Sequence, residues 1–228
     1  MNSELSQLRL FQLISPSLPI GSFTYSQGME WAIEAQWIKD VNSLSDWVES
    51  VLLDSLLWLE FPILKRLFIA SVENNSEDFM YWSHYLFASR ETTELRQEEL
   101  NRARALLMVL NKMPDSNSWP ELVTWRGALL KSQASNFALA AAYWGVDQKQ
   151  MLMGYAWSWL ENIVTVAIKL IPLGQSDGQS VMYKIAELLP EIIRQSETIV
   201  DDDIGASTTA LAISSSLHET QYTRLFRS

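Results

Sequence analysis

The stretch from Val146 to Gly178 constrains this chain most, because it reads as one long helix from both ends. Asp147 followed three residues later by Gln150 is a capping-box pattern, with Val146 and Met151 placed to close a hydrophobic staple. At the far end Lys169 suits the negative end of the helix dipole, and Pro172 and Gly174 stop the helix. At ~1.5 Å per residue the span is roughly 36 Å, enough to cross a small domain. Leu152, Ala156, Trp159, Ile163, Val166 and Leu170 form one apolar stripe. Met153, Trp157, Leu160, Val164, Ala167 and Ile171 form a second beside it. A helix apolar over more than half its girth is packed on several sides. Glu161, Thr165 and Lys169 remain as a narrow polar seam.

The rest of the chain also reads as helix. Residues 4–14 form a short one with Leu5, Leu8, Phe11 and the Leu13–Ile14 pair inward, ended by the Ser15–Gly21 turn with its two prolines. Further helices are expected at about 24–37, from Ser43 or Ser45 to Pro62 (which should kink or break the helix), from Ser76, and from Thr92 to Asn111. Two more, at about 120–131 and 134–144, lead into the central one, and another runs from Ser176 to Leu189. No run alternates as a half-buried strand would. The expectation is an all-α fold: a single globular bundle of about ten helices around a central buried helix at about 148–171. Residues 1–228 make one domain, with 200–228 a partly flexible C-terminal docking segment.

Composition limits the function. A net charge of −10 disfavours nucleic acid and anionic membrane surfaces. The absence of cysteine removes disulfides, thiolate metal sites and thiol nucleophiles. Ten tryptophans point first to a wide aromatic core. The N-terminus shows no signal peptide, and the apolar run Val51 to Ala70 carries four charges, so a cytoplasmic location is expected. The two histidines, His84 and His218, lack the spacing of a zinc helix, and three adjacent aspartates at 201–203 do not wrap a cation. No nucleophile–base pair or phosphate loop can be nominated, so no catalytic, cofactor or metal residue is assigned. The end of the chain is unusual: Tyr222, Leu225 and Phe226 fall at i, i+3, i+4 between Arg224 and Arg227. Such a segment docks either on its own body or in a partner's groove.

Four stretches together resemble the urease accessory protein UreF family. They are Leu13–Ala32 around Ser-Pro-Ser-Leu-Pro-Ile-Gly-Ser, Ser89–Arg96, Trp159–Gln179, and His218–Ser228. The resemblance implies an all-α, non-catalytic maturation factor for the nickel enzyme urease, acting as a homodimer. It implies partners too: the accessory protein UreD (UreH in some organisms), the GTPase UreG and apo-urease, with nickel delivered by UreE. No cofactor of its own is implied. It places the tail, Tyr222, Arg224, Leu225, Phe226 and Arg227 with His218 and Glu219, on UreD. Tyr25, Ser26, Gln27 and Glu30 are assigned to a partner-facing surface, with Glu30 and Lys169 meeting UreG or the nickel path. The rival readings are a metallochaperone holding nickel through His218, Glu219 and the aspartates, a regulator of a different GTPase, and a small-molecule enzyme with an aromatic pocket.

Overall fold

The central helix stands where its caps put it. A computed structural model describes residues 3–228, and in it helix α10 runs Gln148–Leu170, with Asp147 accepting from the backbone N–H of Lys149 and Gln150. Both stripes are largely covered, and Val146 and Met151 are buried. Along the polar seam no ion pair joins Glu161 to Lys169 among the described residues. Lys169 is exposed and its Nζ lies 5.6 Å from the Phe23 ring, over the turn that follows the two prolines. Burial raises the carboxyl pKa of Glu161.

Helix α1 (Ser3–Ile14) crosses α10 closely at Gly154, where a Cβ would come within 2.8 Å of Leu10. Its inward face is Ser6, Leu10 and Leu13, while Leu5, Leu8 and Phe11 are exposed. The expected rotation is wrong because Ser6 Oγ donates to the buried Trp144 carbonyl at 2.7 Å, a contact that apolar periodicity does not encode. Helix α2 is only Met29–Glu34, since Gln27 and Gly28 both take positive φ and hold the chain out of a helix.

Helix α3 (Val41–Val51) starts from an Asp40–Ser43 capping box and runs into a π-helical stretch, Leu52–Glu60. That stretch passes into α4 (Phe61–Glu73). Pro62 therefore does not break the helix. It has no N–H to offer the Trp58 carbonyl, and the N–H of Gly205 fills the place at 3.1 Å. The wider turn upstream is the accommodation.

Helices α5 (Ser76–Ala88) and α6 (Thr93–Leu110) follow, capped by Asn75 and Thr92. Two single turns, α7 (Glu121–Thr124) and α8 (Arg126–Leu129), replace the longer helix expected near 120–131. Helix α9 (Gln133–Tyr143) packs on α4 and α6. Then come α11 (Gln175–Ala186), α12 (Leu189–Ser196) and α13 (Thr209–His218), the last lying against α2 and α6. No strand occurs among the described residues, and the fold is all-α. Six of the ten tryptophans are buried, so the aromatic content is chiefly core. Among the described residues no helix is long and apolar enough to cross a membrane.

Inside this body sits an ionic cluster. Arg90 lies 3.0 Å from Glu60 Oε1 and 2.7 Å from Glu99 Oε2. The Tyr155 hydroxyl donates to Glu60, and the Ser132 hydroxyl and Gln133 N–H donate to Glu99. Helical spacing suggests that Arg90 meets Glu94; it turns inward instead, while Glu98 pairs with Arg102 four residues on. Burial would raise Glu60, but the charge and hydrogen bonds of Arg90 outweigh it and hold the carboxyl below its ordinary value. Burial, then Glu60 and Glu99, pushes the Tyr155 hydroxyl well up.

Two outcomes follow. Arg90→Ala takes the directly paired cation from two buried carboxylates and should cost about 3–5 kcal/mol, read by urea denaturation. An unchanged midpoint would mean that the cluster is not structural. A depressed folded-state pKa stabilises above the unfolded-state value, so Glu60's contribution is present near neutrality. It is lost as pH falls below 4.5 and through the lowered value. Glu60→Gln should flatten that acid limb of the stability curve, which a denaturation series across pH measures.

Candidate functional site

The amphipathic end of the chain closes on its own body, and Glu30 is the receiving group. This side chain, 8% exposed at the start of α2, accepts the backbone N–H of Leu225 at 2.6 Å and of Phe226 at 2.9 Å. His218, fully buried at the end of α13, lies between two carboxylates. Its Nε2 is 3.2 Å from Glu30 and its Nδ1 2.6 Å from Glu94.

The exchange runs in both directions. Glu219 Oε1 accepts the N–H groups of Thr93 and Glu94 at 2.8 and 3.2 Å, serving donors that the start of α6 leaves open. Glu94 in turn binds Arg224 at 2.7 Å. Thr92 and Ser215 share a buried hydroxyl contact of 2.7 Å.

Farther along, Arg227 N–H donates to the Thr24 carbonyl at 2.9 Å. The carbonyl of Ser228 accepts from both the N–H and the hydroxyl of Ser26 at 2.5 Å. Glu98 gathers Ser228 Oγ, Gln27 Nε2 and Arg102 Nη1, each at 2.9 Å. Gly28 is required for the fit. With φ of 77°, its missing Cβ would lie 2.6 Å from Ser214 Oγ and from the Ser215 backbone N.

The assigned residues therefore fall into two groups. Ser26, Gln27 and Glu30 line the seat, and Tyr25 beside them in the chain is buried, as is Ser26. His218, Glu219, Arg224 and Phe226 are held in it, Phe226 being 7% exposed. Tyr222 is fully exposed, Leu225 is 68% exposed, and Arg227 also faces outward. Lys169 stands apart at the Phe23 turn, and no hydrogen bond or ion pair among the described residues joins it to Glu30. Glu94, Glu98, Thr92 and Gly28 complete the arrangement without having been singled out as site residues. The available signal was Glu94 and Glu98, four apart on one face of a charged helix.

The chemistry is that of docking. Both His218 nitrogens are engaged, Glu219 caps a helix, and Asp201 pairs with Arg66. Among the described residues no group of three or more His, Cys, Asp or Glu is placed to hold a metal ion.

The structure defines an all-α body with a self-seated, amphipathic end, and comparison with known proteins gives its family. The sequence model of the UreF family matches residues 38–186. A urease accessory protein UreF from Alcanivorax borkumensis is 57% identical over 222 residues, covering 96% of this chain and 97% of the relative. Proteins of the same name from Pseudomonas putida and Pseudomonas entomophila are 44% and 42% identical over 228 residues, covering both chains completely. The chain belongs to the UreF family, a family of accessory chaperones and not of catalytic enzymes.

Glu30→Ala removes the acceptor of two tail N–H groups and one His218 contact. Hydrogen bonds to a charged group contribute roughly 1.5–3 kcal/mol each, so the open tail should become about tenfold or more populated. Limited trypsin digestion read by mass spectrometry should then show faster cutting at Arg224 and Arg227. Equal rates in the two proteins would remove Glu30 from this role.

Proposed function

We propose that this chain is a non-catalytic scaffold in the maturation of the urease nickel centre, working in the cytoplasm as a homodimer with UreD (UreH) and the GTPase UreG on apo-urease. Membership of the UreF family along the full length of its relatives carries the reading. Residues 1–228 act as one domain, and 200–228 is the docking segment.

The geometry supports a division of labour within that segment. Glu30, Ser26, Gln27, His218, Glu219 and Arg224 hold the tail in shape, while Tyr222, Leu225 and Arg227 face outward toward UreD. Tyr25 is buried next to Ser26 in the chain. Lys169, held over Phe23, belongs to a second contact area that meets UreG. Exposed aromatic and aliphatic side chains on a pre-shaped loop suit a partner interface, because little order is lost on binding.

The test is co-purification of the tagged chain with UreD and UreG of its own organism. Tyr222→Ala with Leu225→Ala touches only exposed side chains, so stability should be kept while UreD affinity falls about tenfold or more, a loss of ~1.4 kcal/mol or above. Arg224→Ala, and a chain ending at Ser216, should also lose UreD. Undiminished UreD binding by all three would overturn the tail assignment. Capture of a GTPase other than UreG would favour the alternative regulatory reading.

A further inference from the structure

The far end of α6 carries a feature that the tail seat does not use. Arg104, Lys112 and Arg126 are all exposed and line one groove of about 460 Å³ between α6 and the Arg126–Leu130 turn. None of the three enters an ion pair with any described residue. No carboxylate lines the groove, in a chain with ten more acidic than basic side chains. Leu107, Leu130 and Met108 make its apolar lining, and Met108 is 61% exposed. A cation near the end of a helix offsets the helix dipole, which accounts for Lys112. It does not account for Arg126, which lies on a different element, nor for an unshielded methionine between the charges.

We infer that this groove docks an acidic protein segment carrying an apolar side chain between its carboxylates. Arg104 lies in the last two turns of α6 and Lys112 two residues past its end, with Met108 between them in the chain. A partner segment with carboxylates seven or eight residues apart and a leucine-sized residue midway matches that order. The flexible thioether of Met108 adapts to that residue. Nucleic acid fits less well, because no aromatic side chain lines the groove for a base to stack on and the field of the whole chain is negative. The inference is independent of the urease reading, since it rests on the groove alone.

Fluorescence anisotropy with labelled twelve-residue peptides tests it on the full chain. The first probe has glutamates spaced as above around a leucine; the second replaces glutamate by lysine; the third replaces leucine by alanine. The first should bind saturably with Kd of roughly 10–100 μM at low salt, and weaken as salt screens exposed charges. The second should not bind, and the third should bind at least about fivefold more weakly. Arg104→Glu with Arg126→Glu should weaken the first probe about tenfold or more. Lys149→Glu with Lys184→Glu, the same charge change outside the groove, should change it less than about twofold. Four results would each overturn the inference: no saturable binding up to about 1 mM, equal affinity for the lysine or alanine peptide, equal loss in both double variants, or equal binding of a single-stranded oligonucleotide of matching charge. The peptide comparisons use the unaltered chain, so they decide the matter even if a variant folds poorly.

Discussion

Arg90 lies between the carboxylates of Glu60 and Glu99, and those three residues join parts of the chain that sequence keeps far apart. Glu60 closes the π-helical stretch ahead of α4, Arg90 sits in the link between α5 and α6, and Glu99 reaches from α6 to the N-terminus of α9. Through Tyr155 the cluster also reaches the central helix. Ion pairs at such depth seldom add net stability over apolar packing, but a charge left alone there is very costly. The cluster therefore selects one arrangement of these helices over others that would bury the same apolar surface. The tail seat inherits that precision, because Glu94 and Glu98 lie one turn apart on α6 and Glu99 is the next residue along it.

Much of the fold is legible in the sequence where a local rule acts alone. The cap at Asp147 and the stop at Pro172 frame α10 nearly to the residue. The rule fails where a remote group intervenes. Pro62 ought to interrupt its helix, yet Gly205 donates to the carbonyl the proline leaves open. Leu5, Leu8 and Phe11 look like a core stripe, yet one serine bond rotates α1 the other way. Arg90 has an acidic residue at helical spacing and takes two others instead.

The site divides along the same line. The spacing of Tyr222, Leu225 and Phe226 announces a docking element but is silent on the surface that receives it. Only Phe226 enters the body. The receiving groups, Glu30, Glu94 and Glu98, are acids on otherwise ordinary helices; the four-residue spacing of Glu94 and Glu98 marks one face of α6, but nothing local says that this face receives the tail. A family resemblance names the tail as functional, whereas the coordinates show which of its side chains are spent on its own shape and which are left over.

The seat also imposes an order on biosynthesis. His218 follows Glu98, the last of the three receiving acids, by 120 residues. At roughly 5–20 residues per second, a ribosome needs about 6–24 s to cover that distance. Through that interval Glu30, Glu94 and Glu98 await a counterpart that is not yet made. The nascent body must therefore persist in an unfinished form, its receiving acids open to water and to other proteins. Closure comes only after the closing segment has cleared the ribosome.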